Sequence, residues 1–140
     1  QGLLPALLPD DFEPRLDFAE QAPARALTGA WRALGEGHDL FGDGSVLAVA
    51  LPGHVPRQMG LWLRDAEDRE LLLCADAVWS AATWRELAWP AWPTRLLLHD
   101  WPAYQRTVRH LHTLAQAHPE LVILPSHCAP SLDRYQPGWR

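Results

Sequence analysis

The sequence predicts an α/β chain of layered α+β type: one mainly antiparallel sheet with helices on its outside. Three observations predict it. Segments 45–51, 58–63 and 70–75 are short apolar runs separated by turn-forming or charged residues, the pattern of a strand meander. Residues 101–118 repeat apolar side chains at helical spacing. A last apolar run, 121–124, follows a proline and reads as a strand returning to the sheet.

In chain order, residues 1–29 read as an irregular connection. Asp10 and Asp11 can cap a short helix through Phe12, Leu16 and Phe18, with Pro14 in its first turn and Pro23 ending it. From Ala30 the pattern changes to strand, from Trp31, Ala33 and Leu34 to Leu40 and Phe41. Gly42-Asp43-Gly44 is a turn, since glycine supplies the positive φ angles that tight turns need. It joins this region to strand 45–51 as a hairpin, and Asp43 reads as a turn residue rather than a catalytic one. Strand 45–51 is apolar throughout and so is expected to be covered on both faces. Strand 58–63, the charged loop 64–69 and strand 70–75 complete the meander. A short helix is expected around 81–88. Two X-Pro steps in Trp89-Pro90-Ala91-Trp92-Pro93 then force an extended loop, and 96–98 reads as a short buried segment. Asp100 is a good N-cap for the long helix, and Pro102 is tolerated in its first turn. Trp101, Tyr104, Val108, Leu111, Ala115 and His118 form its apolar stripe, with Leu114 alongside. Pro119 stops it. The tail, 131–140, reads as coil.

With 140 residues, about half of them apolar, the chain is one domain or part of one. A net charge of −5 and the lack of any Lys/Arg run argue against nucleic acid as a partner. No apolar run approaches the roughly 20 residues needed to span a bilayer. The apolar start, 1–9, lacks a basic leader and is broken by prolines, so it is a poor signal peptide. Two cysteines do not form a disulfide framework, which makes a reduced, cytoplasmic setting the expectation. The chain begins at Gln1, which points to processing or to residues upstream.

The functional signal is three strand ends that each carry a metal-ligand residue: His54 after Pro52-Gly53, Asp76 after strand 70–75, and His127 after 121–126. Taken singly, each has a plain reading. A lone histidine at a strand end is usually structural or solvated, and Asp76 can cap a helix starting at Ala77. Taken together, they sit where ligands of catalytic sites cluster, and imidazole with carboxylate suits zinc, iron or manganese. His110 and His112 fall on the predicted helix about 200° apart, so they cannot share a metal. His38, His99 and His118 have no supporting pattern. Cys74 and Cys128 read as small core hydrophobes near the ligands. Five tryptophans between Trp79 and Trp101 read mainly as packing, with a hydrophobic lip over the site as the functional alternative.

Four stretches in order carry a resemblance: Asp39-Leu40-Phe41-Gly42-Asp43-Gly44-Ser45, Leu51-Pro52-Gly53-His54-Val55-Pro56, Ala75-Asp76-Ala77 and Leu124-Pro125-Ser126-His127-Cys128. Over residues 30–130 the chain resembles the second half of a metallo-β-lactamase-fold hydrolase, of the lactonase-like and general hydrolase branch. The resemblance implies the C-terminal half of an αββα sandwich. It implies that His54 completes a first metal site, that Asp76 bridges two metals and acts in catalysis, and that His127 belongs to the second site. Two zinc ions are implied in the complete domain, with iron or manganese as alternatives. The implied reaction is attack of a metal-bound hydroxide on the carbonyl of a small-molecule ester, lactone or thioester. Two departures stand out. Val55-Pro56-Arg57-Gln58 replaces the usual Thr-Pro-Gly-His, and the H-x-H-x-D-H motif of the family's first half is absent. The expected partners are therefore the missing N-terminal half or a second chain, a homodimer included. The alternatives are a non-catalytic half-domain that assembles through its exposed sheet face, and an unrelated α/β binding module.

Overall fold

The computed structural model describes residues 7–136. Its strands are β1 (Ala24–Ala26), β2 (Glu36–Asp39), β3 (Val46–Ala50), β4 (Met59–Arg64), β5 (Glu70–Ala75) and β6 (Val122–Pro125), and its helices are α1 (Ala81–Arg85), α2 (Trp92–Arg95), α3 (Trp101–Ala117) and α4 (Ala129–Tyr135). The six strands form one sheet in sequence order. β1 to β5 pair antiparallel, and β6 joins β5 in parallel after the α3 crossover. The layered α+β architecture predicted from the sequence is therefore present.

The meander forms where the apolar runs place it. The β2–β3 hairpin is closed by Asp39, whose carboxylate is fully buried. It accepts from the backbone N–H groups of Gly42 (2.9 Å) and Gly44 (2.9 Å) and pairs with Arg25 at 2.5 Å. Gly42 and Gly44 both hold positive φ, 77° and 81°. Asp43 is a turn residue as expected, accepting from Ser45 N–H at 2.8 Å. In β3, Leu47, Ala48 and Val49 are all buried, so both faces of this strand are covered. Asp100 caps α3 by accepting from Ala103 N–H at 2.9 Å. The buried stripe of α3 runs through Ala103, Tyr104, Thr107, Val108, Leu111 and Leu114. This differs from the expected stripe, because Ala115 and His118 are only half-buried and Leu114 faces the core. Tyr104, Val108 and Leu111 pack with Val49, Leu51, Leu72, Cys74 and Ile123 in one cluster. Each fully buried aliphatic side chain there contributes roughly 1.5–3 kcal/mol.

Several expectations are corrected. No helix spans 12–18; only short 3-10 turns form at Glu13–Arg15 and Ala19–Gln21. Within the connection 1–29, β1 adds an edge strand, whose three exposed residues leave no apolar pattern to read. Residues Gly29–Leu34 form a 3-10 helix rather than strand, and the strand begins only at Glu36. Pro93 sits in the first turn of α2, the one place where a helix tolerates its missing N–H. Leu96 and Leu97 are 73% and 69% exposed, so 96–98 is not a buried segment; only Leu98 packs on the core. The tail is not all coil: α4 begins at Ala129 after Cys128 as N-cap, with Pro130 again in a first turn. Most of the apolar start, as well as Pro137 and Gly138, lies outside the described residues. Among the described residues no helix is long and apolar enough to cross a membrane.

The core also sets an alkaline limit. Burial pushes the Cys74 thiol from 9.0 up to about 12. Below pH 9 the thiol is protonated in both folded and unfolded chains and costs nothing. Above it the unfolded chain ionises first, so stability falls from about pH 9 toward about pH 12, by up to roughly 4 kcal/mol. Burial also raises the Tyr104 hydroxyl, adding to the loss. Urea denaturation at pH 8 and pH 10 is expected to show a smaller drop for Cys74→Ala than for the native sequence. An equal drop in both chains rejects this account.

Candidate metal centre

β3 and β5 each run antiparallel to β4, and β6 runs parallel to β5, so β3, β5 and β6 all point the same way. Their C-terminal ends share one end of the sheet. His54, Asp76 and His127 each follow one of these ends.

His54 is placed by a corner clamped to α3. Three consecutive carbonyls are taken up: Pro52 accepts from the Thr107 hydroxyl at 2.7 Å, Gly53 from Asp100 N–H at 3.0 Å and His54 from His99 N–H at 3.0 Å. Gly53 has φ 138°, and a Cβ there would lie 2.4 Å from Tyr104 Cα and 2.5 Å from its N. Only glycine fits. Asp76 is aimed by a break in β5. Ala75 adopts a left-handed φ of 48°, and the β5–β6 register slips between Leu73 and Ala75. The Ala75 carbonyl accepts from Ser126 N–H at 3.1 Å, which ties this break to the turn carrying His127. Asp76 caps no helix, since α1 starts only at Ala81 with Ser80 as its cap.

The three candidate ligands come together. His54 Nε2 lies 3.8 Å from Asp76 Oδ2, and His127 Nε2 lies 3.3 Å from Asp76 Oδ1. Among the described residues no three His, Cys, Asp or Glu side chains close around a single metal-sized point. The arrangement is instead one carboxylate with an imidazole at each oxygen. The His127 side chain is 68% exposed, so its ion pair with Asp76 adds little stability by itself. Asp76 Oδ1 and His54 Nδ1 are buried and have no hydrogen-bond partner. Unpaired buried polar atoms are costly, and a divalent cation would satisfy the carboxylate oxygen. Two imidazoles and a carboxylate are a donor set that fits zinc, iron or manganese.

Three of the remaining histidines have other engagements. His112 Nδ1 contacts the Trp84 carbonyl at 2.8 Å and its Nε2 contacts Gln116 at 3.0 Å; it shares nothing with His110. His38 contacts the Ala22 carbonyl at 3.2 Å, and His118 faces Glu120 at 3.6 Å. Cys74 and Cys128 are buried free thiols. Burial alone would raise Cys128, but the Ser131 hydroxyl donating at 3.1 Å holds it below the ordinary thiol value.

Trp79 joins the site without any mark in the sequence beyond its nearness to Asp76. Its ring meets the His54 imidazole edge-on at 5.4 Å between centroids. The available signal was spacing, three residues after Asp76. The other tryptophans divide. Trp84 is buried, Trp101 stacks on Tyr104 at 5.6 Å and meets Trp89 edge-on at 5.8 Å, and Trp92 is 69% exposed. Trp92, Leu96 and Leu97 thus form an exposed apolar edge on the segment leading to His99, whose N–H binds the His54 carbonyl.

The corner makes a direct prediction. Gly53→Ala is expected to cost roughly 2–5 kcal/mol, from overpacking against Tyr104 and the strained φ together. Urea denaturation measures it; a loss below about 1 kcal/mol means that the α3 clamp can yield.

No protein-family profile matches the chain. It is 31% identical over 86 residues to the N-acyl homoserine lactonase AttM of Rhizobium radiobacter, covering 61% of this chain and 31% of that protein. It is 30% identical over 86 residues to AttM of Agrobacterium fabrum, with the same coverage, and 33% identical over 79 residues to AttM of Azorhizobium caulinodans, covering 56% of this chain and 28% of the relative. The chain therefore spans under a third of the length of these relatives. Among solved structures it is similar to an N-acyl homoserine lactone hydrolase with the product N-hexanoyl-L-homoserine bound at its catalytic metal center. The TM-score is 0.55 at 15% identity, covering 70% of this chain and 36% of that one. A second structure, from work on how indirect contributions of mutations optimise a new enzyme function, matches at TM-score 0.55 and 15% identity, covering 70% and 35%. At that identity the likeness concerns the fold. The strand order, the helices and these likenesses together show a metallo-β-lactamase-type fold, with the chain similar to the C-terminal part of such lactonases.

Proposed function

We propose that this chain supplies part of the metal site of a lactone hydrolase, with His54, Asp76 and His127 as metal ligands and an N-acyl homoserine lactone or similar acyl ester as substrate. The observation that carries this reading is the Asp76 carboxylate between two imidazoles, with a buried oxygen that accepts no hydrogen bond. A bound divalent metal supplies polarisation of the substrate carbonyl and a more acidic attacking water. The chain's own residues do the rest. Asp76 offers one oxygen toward each histidine, which suits a bridging role between two cations. The clamp on Pro52, Gly53 and His54 holds one imidazole still, and Trp79 packs against it. The exposed edge of Trp92, Leu96 and Leu97 is suited to an acyl chain and to keeping water from it. Three ligands make an open site, so the remaining ligands come from residues outside this chain.

A second reading has its own support. An apolar cleft of about 540 Å³, bounded by Met59, Leu61, Leu73, Leu124 and Leu132, lies along the sheet, and Leu73 is 36% exposed. A half-domain that assembles through this face without catalysis would use it. Metal content separates the two readings.

Zinc titration of the full chain is expected to show weak, saturable binding that is lost in Asp76→Ala and in His127→Ala. Binding is also expected to weaken on acidification, because the imidazoles must be neutral to coordinate. Zinc binding that survives in both variants rejects the ligand assignment. In a longer form that carries the upstream ligands, Asp76→Asn is expected to lower lactonase kcat/KM more than about a hundredfold, beyond the effect of outer partners of metal ligands. Trp92→Ala in that form is expected to raise KM for long-chain acyl substrates while leaving kcat nearly unchanged. An unchanged KM removes the acyl-edge assignment.

A further inference from the structure

The N-terminal ends of β5 and β6 lie at the sheet end opposite His54, Asp76 and His127. There, α1, the last turns of α3, and α4 border a cleft of about 410 Å³ bounded by Trp84, Arg85, Gln116, Pro119, Leu121 and Arg134. A smaller cleft of about 240 Å³ shares Arg85 and Arg134 with it, so these two side chains line both.

The charges here are unbalanced. Neither Arg85 nor Arg134 joins an ion pair among the described residues, although the chain as a whole carries a net charge of −5. Glu120, on the rim of the smaller cleft, faces His118 at 3.6 Å, and Asp65 and Glu67 hold Arg69 at 2.7 and 3.3 Å. The Arg85 guanidinium lies over the Trp84 indole at 4.7 Å, which orders it without neutralising it. The buried indole Nε1 of Trp84 also lacks an acceptor. His112 is held between the Trp84 carbonyl and the Gln116 amide nitrogen, which fixes this wall of the cleft. The Trp84, Pro119 and Leu121 wall is apolar.

We propose that this cleft is a separate binding site for a phosphate monoester on a small aryl or apolar body. Both arginines line the cleft, and two guanidinium forks can hold one doubly charged group by paired hydrogen bonds. The apolar wall takes the body of the ligand, and the volume lies in the range of small-molecule sites. The cleft lies at the end of the sheet away from His54, Asp76 and His127.

Calorimetric titration of the full chain with phenyl phosphate tests it, with a chelator present so that no metal near Asp76 contributes. The expected result is saturable 1:1 binding, weaker for benzoate, which has one charge, and for inorganic phosphate, which lacks the apolar body. Arg134→Gln and Arg85→Gln are each expected to weaken binding about tenfold or more, the scale of one lost charge-assisted hydrogen bond. Both arginines are exposed, and circular dichroism checks that each variant folds; should Arg85→Gln lose its packing on Trp84, Arg134→Gln decides alone. Absence of saturable heat up to roughly 10 mM, well past the weakest affinity of interest, overturns the proposal. So does unchanged affinity in folded Arg134→Gln, or equal affinity for all three anions.

Discussion

The corner at Pro52–His54 has no room for a single extra carbon, and much of the molecule hangs on that restriction. Gly53 presses against the backbone of Tyr104, and three successive carbonyls of the corner are taken up by Thr107, Asp100 and His99. One contact therefore sets several things together. It ends β3, fixes how the first turns of α3 cross the sheet, and anchors the segment that carries the exposed Trp92, Leu96 and Leu97. Asp100 serves twice: its carboxylate caps α3 while its N–H holds Gly53. The His54 imidazole is thus presented by a rigid scaffold rather than a free loop, the condition for preorganised ligation.

Two aspartates at strand ends differ in how their carboxylates are satisfied. Asp39 is fully buried, accepts from two backbone N–H groups and pairs with Arg25, so its charge is compensated. Asp76 follows a strained left-handed Ala75 and leaves a buried oxygen without a hydrogen bond. The strained backbone and the acceptor without a hydrogen bond both cost stability. Such local losses concentrate where a ligand is to be bound. The two ends of the sheet differ accordingly: carboxylate and imidazole gather at one, and unpaired guanidinium groups gather at the other.

Local chemistry was legible from residues 36–75 and 100–125. Alternation and continuous apolar runs mark β3, β4 and β5, glycines mark the β2–β3 turn, and helical spacing with an aspartate cap marks α3, because each signal acts between residues close in sequence. His54, Asp76 and His127 were legible as candidates for the same reason: each ends an apolar run. Their meeting was implied only by the family resemblance, since it depends on β6 pairing in parallel with β5 after a crossover, and no residue spacing encodes a strand's neighbour. The edge strand β1 has three exposed residues, and α4 opens on a proline, so neither leaves a period to read. Leu96 and Leu97 have buried-type side chains yet lie exposed, because burial is decided by what packs against a segment. Trp79 against His54, the left-handed Ala75 and the Arg85–Arg134 cleft likewise join residues that only the folded chain brings near. The sequence by itself determined the element types, their caps and the chemistry of the three strand ends. Tertiary structure alone decided that those ends coincide, which groups were left unsatisfied there, and which surfaces stayed open, because these are properties of pairing and packing between distant segments.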